Sequence, residues 1–229
     1  MTEKIANVIH QKNCAHPLRV AVDGVDAAGK TTFADELAAW LEPHHRQIIR
    51  ASVDDFHLPK TIRRKQGELS PEGFYYDSYN YAALVSNLLK PLGPNGDRKY
   101  RTAIFDIHQD RPVDPPFQTA EKDAILLMDG IFLLRPQLLP YWDLTLYIHT
   151  DFETSTARGI LRDAEIFGSS EQAALRYRER YVPGQKIYIQ KANPLDKADI
   201  LIDNNKITAP VILRNHLESL VGNPYEGKE

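Results

Sequence analysis

Eight consecutive residues have the types and spacing that polyphosphate chemistry needs. Gly24-Val25-Asp26-Ala27-Ala28-Gly29-Lys30-Thr31 fills every fixed position of the pattern G-x-x-x-x-G-K-[ST]. Glycine at the first and sixth positions lets the backbone turn tightly and approach an anion closely, with several amide N–H groups pointing inward. A helix that starts at this loop adds unpaired N–H groups and the positive end of its dipole. Lys30 supplies a mobile point charge for the outer phosphates, and the Thr31 hydroxyl suits a bridging magnesium ion. The alternative is a glycine-containing turn that binds nothing. On the phosphate reading, Gly24, Val25, Asp26, Ala27, Ala28, Gly29, Lys30, Thr31 and Thr32 hold a nucleotide donor, ATP, together with Mg2+.

Three further groups could share that chemistry. Asp54 and Asp55, followed by Phe56 and His57, come directly after an apolar stretch. A carboxylate there can take a proton from a hydroxyl or join the metal shell; the other reading is a turn-capping Asp pair. Asp129 follows the uninterrupted apolar run 124–128 and is a candidate to hold magnesium with Thr31, through water, because that ion keeps several of its own waters. Arg158 and Arg162 stand four apart, which puts both on one helical face where they could close over a transferring phosphoryl group or make surface ion pairs with Asp163 or Glu165. For the acceptor, Asp55, His57, Tyr75, Tyr76, Asp106, His108 and Arg111 are candidates. Tyr75 and Tyr76 suit core packing and substrate contact equally, whereas Tyr79 and Tyr81 read as helix anchors. Asp106, His108 and Arg111 stand between acceptor contact and solvated loop charge.

The elements that must position these groups follow from periodicity. Apolar spacing predicts a short helix around Ile5, Val8 and Ile9 and a buried strand at Leu18 to Val22. A helix over Thr32 to Leu41 and a strand over Gln47 to Val53 come next. The stretch Lys60 to Gly73 reads as a polar surface excursion whose Arg63, Arg64 and Lys65 form a solvated face. Strands are expected at Lys99 to Ile107, Ala124 to Met128, Leu144 to Ile148 and Asp199 to Ile202, with helices at Phe152 to Phe167 and Val211 to Leu220. In an open parallel sheet the carboxyl ends of the strands form the ligand rim, so Asp54 and Asp129 should meet the phosphate loop there.

Composition limits the classes that fit. A chain of 229 residues suits one α/β domain, 1–229, with a mobile insert. A net charge of −3 with interspersed signs offers no field for a nucleic-acid polymer. The single cysteine, Cys14, excludes an internal disulfide framework and a cysteine-based zinc site. Neither a signal peptide nor a membrane-spanning run is expected, which makes the cytoplasm the default location. No internal repeat is evident, and nothing identifies an interface, although a homo-oligomer fits.

The ordered series of the phosphate loop, Ser52-Val53-Asp54-Asp55-Phe56, Met128-Asp129-Gly130-Ile131 and Arg158 to Asp163 resembles the uridine kinase family, over about Leu18 to Asn204. Nicotinamide riboside, phosphoribulose and pantothenate kinases are its relatives. The resemblance implies a parallel five-stranded sheet flanked by helices, an arginine-bearing lid within about 150–182, and ATP-dependent phosphorylation of a nucleoside 5′-hydroxyl. It puts Asp54 in the place of the base and Asp55 where serine usually stands. Thr150-Asp151-Phe152-Glu153-Thr154 matches the segment before the lid, and Arg158 and Arg162 match two arginines of Arg-Arg-x-x-Arg-Asp. Val182-Pro183-Gly184 with Tyr188-Ile189, and Ala198 to Ile202, resemble closing motifs. The chain departs from the pattern at Gly159, where the family has a second arginine, and at Ile166-Phe167-Gly168-Ser169, where it has Glu-Arg-Gly-Arg. Arg176, Arg178 and Arg180 are the candidates to compensate. Asp129 replaces a glutamate, and Gly73 to Tyr76 replaces the part that grips the sugar. The acceptor therefore stays open among a nucleoside, a sugar, a glycerate-like acid and a pantothenate-like alcohol. A nucleotide-dependent regulatory ATPase is the remaining alternative, which Asp54 beside Asp55 and the arginine pair disfavour.

Overall fold

The computed structural model describes residues 1–217. Six strands form the main sheet: β1 (Leu18–Gly24), β2 (Ile48–Ser52), β3 (Ile125–Asp129), β4 (Leu144–His149), β5 (Ile200–Asp203) and β6 (Val211–Asn215), in the order β6-β5-β4-β1-β3-β2. The first five are parallel, and β6 pairs antiparallel with β5. The longer helices are α1 (Thr2–Gln11), α2 (Lys30–Leu41), α3 (Pro71–Asp77), α4 (Phe152–Asp163), α5 (Ser170–Arg176) and α6 (Val182–Ala192).

Burial on both faces explains the near-continuous apolar strands. Val20 and Val22 of β1 point with Leu127, Leu146 and Ile148 toward Phe33 and Leu37 of α2 and Ile5 and Ile9 of α1. Ala21, Met128 and Tyr147 point to the other face, against Phe74, Phe132, Leu88 and Tyr188. Register brings the strand ends level: Val22 and Ser52 both stand opposite Asp129, and Gly24 opposite Ile148. The loop after β1, the acids after β2 and the last residue of β3 thus share one rim.

Three expectations need correction. The sheet has six strands rather than five, because Val211–Asn215, expected to begin a helix, is an edge strand with a register shift between Ile212 and Arg214. Val211, Ile212 and Leu213 are consecutive apolar residues, which gives no helical stripe but suits a strand; the rest of that expected helix, from residue 218, lies outside the described residues. The run Lys99 to Ile107 is not one strand. Lys99–Tyr100 pairs with Gln118–Thr119, and Phe105–Asp106 with Arg111–Pro112, in two small antiparallel ribbons off the main sheet. Arg98 and Asp110, both at positive φ, turn the chain around them. The helix expected over Phe152 to Phe167 ends at Asp163. Among the described residues no helix is long and apolar enough to cross a membrane.

Candidate active site

The loop after β1 has the backbone its glycines permit. Ala27 (φ 55°) and Gly29 (φ 90°) occupy the left-handed region, and Gly29 caps α2. A Cβ on Gly24 would lie 2.5 Å from the Ile148 carbonyl oxygen of β4. Two side chains far off in sequence hold the loop. Gln185 Oε1 accepts from the Asp26 N–H at 2.7 Å, and Asn204 Nδ2 donates to the Ala28 carbonyl at 2.7 Å. Beneath the loop, the fully buried Asp23 accepts from the N–H groups of Gly24 and Leu134 and from the Tyr188 hydroxyl. Burial pushes its carboxyl up to about 6 against those donors.

Lys30 is buried, and its Nζ donates to the Val25 carbonyl at 2.7 Å. Burial pulls its pKa down, opposed by the charges of Asp26, Asp23, Asp129 and Asp54. The Asp26 carboxyl shifts up, again chiefly from burial, countered by Lys30 and Arg162. The Thr31 hydroxyl donates to Asp129 Oδ2 at 2.7 Å, so the two residues expected to share magnesium are in contact. The donor set fits that ion. Thr31 and Asp129 are hard oxygen ligands, and among the described residues no three His, Cys, Asp or Glu side chains converge as a metal cage, so a cation here keeps most of its waters.

Asp54 is the second residue of the single turn Val53–Phe56 after β2, with its side chain 64% exposed. Its Oδ1 accepts from the buried Tyr79 hydroxyl at 3.1 Å, and its carbonyl oxygen lies 2.7 Å from His57 Nδ1. The His57 ring rests against Tyr79, with centroids 4.4 Å apart, and burial lowers its pKa. Tyr79 is therefore more than the helix anchor its sequence context suggested. Asp55 is pushed up to about 6, first by burial and then by Asp54, Asp129 and Asp106. Four carboxylates thus lie close enough on the rim for the other three to raise the proton affinity of Asp55.

A cavity of about 440 Å³ opens in front of the loop, lined by Ala27, Gly29, Lys30, Thr31, Thr32, Arg158, Arg162 and Ile207. Both expected arginines reach it from α4. Arg158 donates to the carbonyls of Asn204 (3.0 Å) and Asn205 (2.7 Å). Arg162 makes a two-pronged pair with Asp163 and touches the Tyr177 hydroxyl. An adjoining slot is lined by the apolar Phe33, Ile148, Ile202, Ile207 and Pro210 together with Gly29, Thr32, Glu36 and Asn204.

Arg176, Arg178 and Arg180, the candidates to compensate for the departures at 159 and 166–169, have partners of their own. A Cβ on Gly159 would lie 2.1 Å from the Tyr177 hydroxyl, so Tyr177, bonded to the buried Asp163, takes the space that an arginine at 159 would need. Arg180 is buried, donating to the carbonyls of Arg63, Glu68 and Ser70. Arg176 pairs with Glu68, and Arg178 with its neighbour Glu179. Arg176 and Arg180 tie the segment after α4 to residues 63–70, and Arg178 is paired within its own segment. The basic cluster of that excursion is likewise paired: Arg63 with Asp110, Arg64 with Glu68, Lys65 with Asp77.

Of the acceptor candidates, Tyr75 belongs to the core. It is 3% exposed, packs edge-on against Phe132 at 5.2 Å and lies under the Arg135 guanidinium. Tyr76 is half exposed beside it. Asp106 accepts from the N–H groups of His108 and Gln109, which makes it a loop cap as well as a neighbour of Asp55. His108 and Arg111 are exposed on the small ribbon.

Residues 20–209 match the model of the phosphoribulokinase / uridine kinase family. The chain belongs to that family. It is thus a phosphotransferase whose acceptor is an alcohol group. It is 27% identical over 217 residues to uridine-cytidine kinase B of Dictyostelium discoideum, a match covering 93% of this chain and 85% of that one. Among solved structures, a possible uridine kinase from Bacillus stearothermophilus aligns with a TM-score of 0.69 at 18% identity, covering 87% of this chain and 96% of that one. D-glycerate 3-kinase from Cryptococcus neoformans aligns with a TM-score of 0.58 at 14% identity, covering 93% and 99%. At those identities the two structures speak for the fold alone.

Proposed function

We propose that this protein transfers the terminal phosphoryl group of ATP, with Mg2+, to a hydroxyl of a small molecule, a nucleoside 5′-hydroxyl first among them. The observation that carries the reading is the placement of the exposed Asp54 carboxylate on the same rim as Lys30 and the Thr31–Asp129 pair. The loop amides and Lys30 hold the donor phosphates, and an entering polyphosphate takes over from the Val25 carbonyl as the partner of Nζ. Thr31 and Asp129 hold the magnesium ion, which when bound neutralises charge on the phosphates. Asp54 orients the acceptor hydroxyl and takes its proton, while Tyr79 fixes one carboxylate oxygen and leaves the other free. Arg158 and Arg162 offset charge on the transferring group and narrow the access of water. The names of the relatives that align over most of this chain favour a nucleoside over the other acceptors.

The test is ADP release with Mg2+ and ATP across nucleosides, sugars, glycerate and pantothenate, with mass detection of the product. A nucleoside 5′-monophosphate as the best product supports the reading. A different phosphorylated product would keep the donor half and replace the acceptor, and ADP formation that no acceptor accelerates would replace phosphoryl transfer by ATP hydrolysis.

A further inference from the structure

Asp129 is held by more than Thr31. Arg50 stands on β2 beside β3, opposite Leu127, two residues from the pair Ser52–Asp129. Its guanidinium serves three acceptors on two elements. Nη1 donates to the Leu127 carbonyl at 2.7 Å, Nη2 to Asp129 Oδ1 at 3.0 Å, and Nε and Nη2 to Asp35 Oδ1 of α2 at 3.0 and 2.8 Å. With Thr31 on Oδ2, both oxygens of a carboxylate that is only 4% exposed are fixed.

The consequence follows from the hydrogen-bonding inventory. A threonine hydroxyl has one proton and two lone pairs. While the proton is committed to Asp129 Oδ2, the lone pairs are left for a cation. That commitment lasts only while the carboxylate keeps its plane, and Asp129 cannot keep it through Thr31 alone, because rotation about its Cβ–Cγ bond would break the contact. A buried carboxylate also needs a compensating charge. The planar fork of arginine meets both needs where the single ammonium of lysine could not reach all three acceptors. Asp35 on the far side of Arg50 returns the triad to a net charge of −1, so a cation still meets a negative site.

We propose that Arg50 is the positioning residue of the magnesium site, locking Asp129 onto Thr31 so that the threonine oxygen faces the cation. The proposal rests on the reading of Thr31 and Asp129 as that site. It is tested without turnover, by equilibrium binding of a fluorescent ATP analogue to the full chain in Mg2+ and in EDTA, with Mn2+ binding followed by electron paramagnetic resonance. In the parent protein magnesium should tighten nucleotide binding. Arg50→Met should lose about tenfold of that enhancement, on the scale of groups that orient metal ligands, while its affinity in EDTA stays close to the parent's. Arg50→Lys, which keeps the charge but gathers its N–H groups on a single nitrogen, should recover part of the loss and serves where the methionine variant folds poorly. A parent-like magnesium enhancement in either variant would overturn the role of Arg50. No enhancement in the parent would instead overturn the metal-site reading itself, and the proposal with it.

Discussion

Replacing Asp55 by asparagine should stabilise the protein at neutral and alkaline pH and have little effect in acid. Asp55 is partly buried with Asp54, Asp106 and Asp129 around it, and its carboxyl shifts from 3.8 to about 6. A carboxyl whose pKa is raised on folding favours the folded state fully below its unfolded pKa, and the benefit is lost as pH rises through the folded value. The window therefore runs from about pH 4 to about pH 6 and above. At about 1.4 kcal/mol per tenfold change in proton affinity, the shift corresponds to an upper bound of about 3 kcal/mol. Water reaches part of this rim, so ~1–2 kcal/mol is the more reasonable expectation. For a chain of this size that is a rise in Tm of about 2–8 °C. Asparagine keeps the shape and removes the charge. Thermal melts of parent and Asp55→Asn at a series of pH values should show curves that nearly coincide at pH 4 and separate above pH 6. A variant less stable at pH 8, or a difference independent of pH, would refute the view that carboxylate crowding dominates at Asp55.

Other substitutions probe neighbouring links. Tyr79→Phe should lower kcat about tenfold with little change in acceptor KM, because it removes a hydrogen bond to a charged group but leaves the ring packed on His57; an unchanged kcat would return Tyr79 to a packing role. Arg158→Ala should reduce turnover by up to about 10³-fold, and parent-like steady-state rates would remove it from the reaction. Gly159→Ala should destabilise by about 1–3 kcal/mol, read by chemical denaturation, since its Cβ would meet the Tyr177 hydroxyl at 2.1 Å; full stability would mean that Tyr177 moves aside freely.

The parts of the site that local chemistry dictates were legible in the sequence. Glycine spacing marked the tight loop after β1, and the apolar runs ending at Val53 and Met128 put Asp54 and Asp129 at strand ends, where parallel pairing brings both to one rim and Asp129 into contact with Thr31. What stayed hidden depends on contacts between distant segments. Gln185 and Asn204 clamp the loop from 159 and 176 residues away, and no periodicity announces them. Arg50 alternates along β2 like any strand arginine; only the packing of β2 beside β3 and α2 shows its three partners. Tyr75 stood open between packing and substrate contact and Tyr79 read as a helix anchor; both rings are buried in the same core, and it is the Tyr79 hydroxyl that reaches Asp54. The arginines at 176, 178 and 180 had the right charge for the cavity, and their pairing with Glu68, Glu179 and backbone carbonyls assigns them elsewhere. β6 was misread because a run of three adjacent apolar residues, although it suits a strand, lacks the alternation that would mark it as one.

The most direct test of the account is single-turnover product formation by Asp54→Asn, with MgATP and the best acceptor, beside its affinity for MgATP. The account predicts parent-like nucleotide binding, since Lys30, Thr31 and Asp129 are untouched, and a rate of transfer lower by about 10²–10⁴-fold, the range for loss of a positioned base. Near-normal transfer by a variant that binds MgATP normally would contradict it, and the role of base would pass from Asp54 to another group on the rim.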